Sequence, residues 1–438
     1  MQSYSTGNTL IKLKRPELLS PAGSLKAMRM AFAYGADAVY AGLPRLSLRV
    51  RNNEFTLENL ALGITEAHQL HKQFYVVVNL MPHNSKINTL AQELAPIIAL
   101  RPDALIVADP GVIFLLRAAF SDMPMHLSVQ ANSMNWAAVK FWHTQGISRA
   151  ILSRELGLPE IAEIKQRCPE MELEVFVHGA LCMAYSGRCL ISNYMNKRDP
   201  NQGACTNACR WSYEVKDESA QPPSSLTMLV TNPEQPGEDY LLEEDELGSY
   251  LFNSKDLRAV ALVEKLTALG VDSLKIEGRT KSPYYVARTA QVYRSAIDDA
   301  LGGTPFNTQL LTELDGLSNR GYTEGFLRRH QLQSESMQNY TRGDSEGMQQ
   351  IVGELSLSDD PIFWAVEVKN YFSVGDELLL MTPAGNHRFK LAQLFDQQRL
   401  PIRCAPGSGH KVYVPTLTQV IIGDNIAQAM LVRLLGAT

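Results

Sequence analysis

Within the first 280 residues, eight short apolar runs alternate with amphipathic helical stretches, and each run ends in polar or small residues. The runs are Glu17–Ala22, Ala38–Gly42, Tyr75–Asn79, Ala104–Asp109, His126–Ala131, Ala150–Glu155, Val175–Ala180 and Ser273–Gly278. Near-continuous apolar strands are buried on both faces, and strands separated by helices pair in parallel. Between the first two runs, Leu25, Met28 and Phe32 fall at helical spacing behind Ser24, which is placed to cap the helix. Eight such units predict a TIM-type (β/α)8 barrel. A doubly wound open sheet is the alternative, but no G-x-G-x-x-G follows the first run to support it.

The spacing breaks once. Starts of the seventh and eighth runs lie about 100 residues apart, so a long insertion is expected at about 181–255. The barrel domain then occupies 1–330, and the polar stretch at 331–350 reads as a linker. From 351 to 438 the texture changes to short alternating segments with turn residues between them. That predicts a small C-terminal antiparallel β domain, a barrel or sandwich.

Barrel enzymes work at the C-terminal ends of their strands. This rule selects Glu17, Ser20, Asn79, Asp109, Gln130, Asn132, Arg154, Glu155, His178 and Glu277. Of these, His178, Glu155 and Glu277 are the candidates for moving protons, and a packed structural histidine is the alternative for His178. Arg154, Arg188 and Arg279, with Asn79 and Gln130, are candidates for holding the carboxylates of a small acid.

Four of the six cysteines, Cys182, Cys189, Cys205 and Cys209, open the insertion within 28 residues, in the pattern C-x6-C-x15-C-x3-C. Four thiolates suit a [4Fe–4S] cluster or a tetrahedral zinc. Zinc sites favour two short pairs, and only Cys205 and Cys209 form one. Four buried, inert thiols are the third reading. Cys168 and Cys404 lie apart and read as packed residues.

Over residues 188–210 the charge is +3, from Arg188, Lys197, Arg198 and Arg210 against Asp199. Arg45, Arg49 and Arg51 follow the second run, and Arg279 and Lys281 the eighth, on the same expected face. Such cations suit an anionic substrate or RNA phosphates, and Tyr185, Tyr194 and Trp211 beside them suit stacking on bases. The chain as a whole carries a net charge of −5, which argues against a non-specific nucleic-acid coat.

Taken together, "ELLSPAGS" (17–24), "GADAVYAG" (35–42), "FVHGALCMAYSGRC" (176–189), "GACTNACR" (203–210), "NSKDL" (253–257) and "SLKIEGR" (273–279) resemble the signature segments of the collagenase-like peptidase family. That family includes proteins of RNA and ubiquinone hydroxylation. "RVRNNEF" (49–55), "NKRDPNQG" (196–203) and "NRGYTEGFLRRH" (319–330) are similar to a branch that modifies tRNA. The resemblance implies an iron–sulfur protein with Cys182, Cys189, Cys205 and Cys209 as ligands. It further implies oxygen-independent, prephenate-linked conversion of the wobble uridine in the tRNA anticodon loop to 5-hydroxyuridine, the first step towards 5-carboxymethoxyuridine. Prephenate as a dicarboxylate co-substrate and the iron–sulfur assembly machinery as a partner follow from the same resemblance.

Two rivals remain at this stage. A peptidase is suggested by the family name, but neither a G-x-S-x-G elbow nor an H-E-x-x-H motif is present, and a Cys182–His178 pair would leave three cysteines unexplained. A non-catalytic RNA-binding partner with a structural zinc is the other. No targeting segment is visible and the apolar runs, such as 74–81, fall far short of the roughly 18 residues that span a bilayer, so a cytoplasmic protein without membrane association is expected.

Overall fold

A computed structural model describes residues 13–48, 53–181, 226–231, 239–245, 248–249, 255–328, 347–417 and 423–435. Seven parallel strands come first: β1 (Glu17–Pro21), β2 (Ala38–Gly42), β3 (Gln73–Val78), β4 (Ala104–Val107), β5 (Met125–Leu127), β6 (Arg149–Ile151) and β7 (Glu172–Ala180). Within the insertion, β8 (Leu226–Thr231), β9 (Asp239–Asp245) and β10 (Gly248–Ser249) form a small antiparallel sheet that the sequence reading did not anticipate. Next, β11 (Asp256–Arg258) runs antiparallel to β7, and β12 (Ser273–Ile276) pairs in parallel with both β1 and β7. That double pairing closes an eight-stranded parallel barrel, as the eight runs predict.

Each crossover carries a helix whose ends are set by local chemistry. The hydroxyl of Ser24 accepts from the amide of Ala27 at 3.2 Å and caps α1 (Leu25–Ala33). Asp109 caps α4 (Pro110–Ala119) by accepting from Val112 at 2.9 Å, so the carboxylate expected at the barrel mouth is a helix cap. The long α8 (Pro283–Gly302), the eighth helix of the described chain, covers the outer side of β1 and packs on α1.

One irregularity decides which side chains face inward. On β12, Lys275 pairs with Phe176 of β7, but the next residue, Ile276, pairs with His178. The extra residue on β7, Val177, is a bulge that shifts the inside–outside alternation by one. Phe176 lines the barrel interior, while His178 points to the helix layer.

The C-terminal domain is an antiparallel sheet of eight strands that begins with Gln349–Ser356, two residues before the expected start at 351. It surrounds its own apolar core, including Val352, Trp364, Val366, Leu380 and Leu431. Leu379, Met381, Met430 and Val432 join the barrel's core instead. The Tyr34 hydroxyl, at the end of α1, donates to the carbonyls of Met381 and Gln428 at 3.1 and 2.8 Å. The domain is therefore docked on the outer helices, and Glu354 adds an ion pair to Lys26.

Candidate active site in the barrel mouth

The barrel interior is charged where most barrels are filled with branched aliphatic side chains. At the N-terminal end, Arg149 meets Glu17 at 2.6 Å, Glu172 at 2.9 Å and Glu174 at 3.4 Å. Glu17 also accepts from the Tyr75 hydroxyl at 2.6 Å and from Ser273 at 2.8 Å. Glu17 starts β1 rather than ending it, so it belongs to this lower network and not to the mouth. Arg149 is held well above its ordinary value by these carboxylates, against the effect of burial.

One layer higher, Lys275 donates to Glu174 at 2.6 Å, and its ammonium lies 4.2 Å from the Tyr40 ring centroid. Burial pushes its pKa below the ordinary lysine value, and Glu174 opposes that shift. The Tyr40 hydroxyl donates to the carbonyl of Ile276 at 2.9 Å. Its pKa is driven far up, mainly by burial.

Above Lys275 a cavity of about 70 Å3 opens at the C-terminal end. At roughly 10–15 Å3 for each water, it has room for a small organic molecule. Asn79, Gln130, Arg154 and Glu277, selected from the strand ends, line it together with Arg279, which follows the eighth run. Arg154 reaches Glu277 at 3.2 Å and lies 3.7 Å over the Phe176 ring. Asn79 accepts from the amide of Leu48 at 3.2 Å and donates to Ser128 at 3.4 Å, which fixes its amide at the rim. Gly42 lets two side chains approach its backbone closely, because a Cβ on it would stand 2.6 Å from both the Arg279 guanidinium and the Ser47 hydroxyl, and these would have to shift.

Other expected site residues are placed elsewhere. His178 does not line the cavity. It is 1% exposed, with its ring 5.6 to 5.8 Å from those of Tyr285, Tyr293 and Tyr322. Its Nδ1 lies 3.4 Å from the Tyr293 hydroxyl, and burial lowers its pKa to about 3. The reason is the β7 bulge, which turns it out of the barrel, so the expectation of a proton carrier at the mouth is corrected. Glu155 follows Arg154 but is not part of the cavity wall, and its Oε2 is buried with no hydrogen-bond partner among the described residues. Lys281 is exposed beyond β12, with its ammonium 5.3 Å from the Tyr285 ring. Cys168 is buried and donates to the Trp136 carbonyl. Cys182, Cys189, Cys205, Cys209, Arg49, Arg51, Arg188, Lys197, Arg198 and Arg210 lie outside the described residues.

Tyr40 and Lys275 are cavity residues that strand-end reasoning missed. A signal for Lys275 was present, since Lys275, Glu277 and Arg279 alternate along an otherwise apolar run and so share one face.

Ala180 lines the cavity and pairs with Asp256. The cysteine-bearing insertion thus leaves the barrel at Leu181 and returns beside the cavity rim.

Comparison with known proteins gives two profile matches, to peptidase family U32 over residues 23–337 and to the peptidase family U32 C-terminal domain over residues 348–433. The "tRNA hydroxylation protein P" of Escherichia coli (strain K12) is 57% identical, covering 92% of this chain and 94% of that protein. The protein of the same name from Haemophilus influenzae is 53% identical, covering 96% of each. A "Collagenase" of Porphyromonas gingivalis is 29% identical, covering 71% of this chain and 73% of that protein. Among solved structures, "The Structure of the U32 Peptidase Mk0906" has a TM-score of 0.38 at 13% identity, covering 65% of this chain and 98% of that one. Barrel and C-terminal sheet domain alike, the chain belongs to the collagenase-like peptidase family U32.

Proposed function

We propose that this protein hydroxylates tRNA, converting the wobble uridine to 5-hydroxyuridine in an oxygen-independent reaction linked to prephenate. The observation that carries this reading is the juxtaposition at the barrel mouth. Arg154, Arg279 and Lys275 surround one small cavity, and the cysteine-bearing insertion leaves and returns at its rim. The names of the most similar relatives supply the substrate class.

In this reading Arg154 and Arg279 hold the carboxylates of the acid by charge-assisted hydrogen bonds. Asn79 and Gln130, which follow β3 and β5, orient it, and Glu277 holds or moves a proton beside it. Lys281, with Arg49, Arg51, Lys197, Arg198 and Arg210, meets the phosphates of the anticodon loop. Cys182, Cys189, Cys205 and Cys209 are the proposed ligands of a [4Fe–4S] cluster, on their spacing and on the rim position of Leu181. A bound cluster would supply redox or Lewis-acid chemistry.

The peptidase alternative loses its general base, because His178 is buried among tyrosines behind the strand. A structural zinc in a non-catalytic RNA partner is separated from the proposal by metal analysis. The test is anaerobic purification of the wild type and of the Cys182→Ala and Cys205→Ala variants, with iron and sulfide assays and nucleoside analysis of tRNA from a complemented deletion strain. The expected result is iron and sulfide in the wild type alone, and 5-hydroxyuridine-derived nucleosides restored by the wild type alone. One zinc per chain without iron, or full restoration by both variants, overturns the proposal.

A further inference from the structure

We propose that Lys275 is a nucleophile that condenses with the ketone of a 2-oxo acid bound in the barrel cavity, forming an iminium. This rests on reading the cavity as the site of the organic acid, and it adds a covalent role that the acid's carboxylate contacts do not require.

Three observations point to it. First, Lys275 is the one lysine among the described residues of the cavity wall, and β12 fixes it in mid-strand rather than on a mobile loop. A rigid element holds a reacting group more closely than a loop does. Second, the amine sits between the Tyr40 and Phe176 rings, with centroids 4.2 and 5.6 Å away, and is 3% exposed. Desolvation of this kind favours the neutral, nucleophilic amine. Third, guanidinium groups and an amine converge on one small space. Guanidinium groups bind a carboxylate, and an amine beside them can reach a carbonyl carbon. A 2-oxo acid carries both functions on adjacent carbons.

The simplest competing view is a buried ion pair that only fills the barrel. Lys275 and Glu174 do form such a pair, yet the cavity opens directly onto the lysine. The surroundings also tolerate the step. Glu174 is shared with Arg149 at 3.4 Å, so it keeps a cationic partner when Lys275 gives up a proton. The iminium then restores a positive charge at the same place, and the fully buried carboxylate is never left alone.

The step balances without an oxidant or reductant. The Lys275 ammonium passes one proton to Glu174, and the free amine attacks the ketone carbon. A C–N bond forms as the C=O π bond breaks, and a proton moves from the attacking nitrogen to the oxygen to give a neutral carbinolamine. Glu174 returns its proton to the hydroxyl, which leaves as water as the C=N iminium forms. The net change is ammonium plus ketone to iminium plus water. The iminium draws electrons from the neighbouring carbon, and Glu277 in the same cavity is the base placed to use that.

The test is borohydride trapping on the full-length protein. Prephenate, phenylpyruvate and pyruvate are each added with sodium borohydride, with succinate as a carboxylate control that has no ketone. Peptide mass spectrometry then locates any fixed adduct. The expected result is an adduct on the peptide carrying Lys275 with at least one oxo acid, none with succinate, and none in Lys275→Arg. That variant keeps a cation beside Glu174 while removing the amine. Calorimetry on the same samples separates the two readings. An acid that binds without an adduct at Lys275 overturns the nucleophile and leaves the acid site standing. No binding by any of the acids overturns both. Adducts spread equally over exposed lysines overturn the nucleophile as well.

Discussion

Arg154 and Glu277 meet across the barrel mouth, Nη2 to Oε2 at 3.2 Å, and join the end of β6 to the end of β12. Both side chains are mostly buried, 14% and 20% exposed, and the pair holds two opposite charges at one rim. Separate substitutions divide their roles. Arg154→Met is expected to weaken binding of the dicarboxylate by about 2 kcal/mol, some 30-fold in Kd, with little loss of fold. Glu277→Gln keeps the shape and a hydrogen-bonding group, and is expected to leave binding within a few-fold while lowering turnover on the order of 100-fold. Calorimetry with prephenate and nucleoside analysis of tRNA read the two effects. Equal loss of binding in both variants would contradict the division.

The lower network is a stability element. Arg149→Met would take from Glu17 and Glu174 the cation they share inside the barrel, leaving Lys275 on Glu174. Breaking a buried pair on one side costs about 3–5 kcal/mol. A loss of unfolding free energy of that size, read by urea denaturation, is expected, and a change below about 1 kcal/mol would mean the carboxylates find other partners.

His178 predicts a pH dependence. Unfolded, its imidazole binds a proton near pH 6.5; folded, only near pH 3. Between these values the unfolded state binds more protons, so stability rises with pH across that window and is lost as pH falls from about 6.5. Burial is the main cause, and Asp256 on one side and Arg258 and Lys281 on the other modify it in opposite directions. His178→Phe should flatten the acid limb of stability against pH while leaving the Tyr293 hydroxyl bonded to the Val177 carbonyl at 2.6 Å. His126, also buried and shifted down, keeps part of the slope in the variant. An unchanged acid limb would show that His178 is protonated in the folded protein.

Two glycines give a paired comparison. Gly179 has φ of +104°, and a Cβ there would lie 2.5 Å from the Glu277 carbonyl oxygen. Gly179→Ala is expected to cost about 1–3 kcal/mol and to disturb Glu277. Gly303 ends α8 with φ of +69° and open space at its Cβ, so Gly303→Ala should cost about 1 kcal/mol or less and leave the cavity unchanged. Chemical denaturation with acid-binding calorimetry distinguishes the two.

The strands were legible because burial on both faces writes a continuous apolar run, a local signal that survives in the chain. The rim residues Asn79, Gln130, Arg154, Glu277 and Arg279 were legible for the same reason, since the end of a run marks the end of a strand. His178 followed that rule and yet turned outward. A bulge is a mismatch between two strands and has no signature in either one alone. Lys275 alternates with Glu277 and Arg279 along the eighth run, but that local pattern gives no sign of the Glu174 that pairs with it from another strand.

By itself, the sequence determined the order of barrel units, the place of the insertion and the thiol spacing, all of which are properties of near neighbours along the chain. Tertiary structure alone decided that β12 closes on β7 and β1, and that charges from β1, β6, β7 and β12 share one interior. It also decided that the C-terminal sheet docks through Met381 and Met430 onto the outer helices. The physical reason is that pairing across a closed barrel depends on register and facing, which are set between segments more than a hundred residues apart.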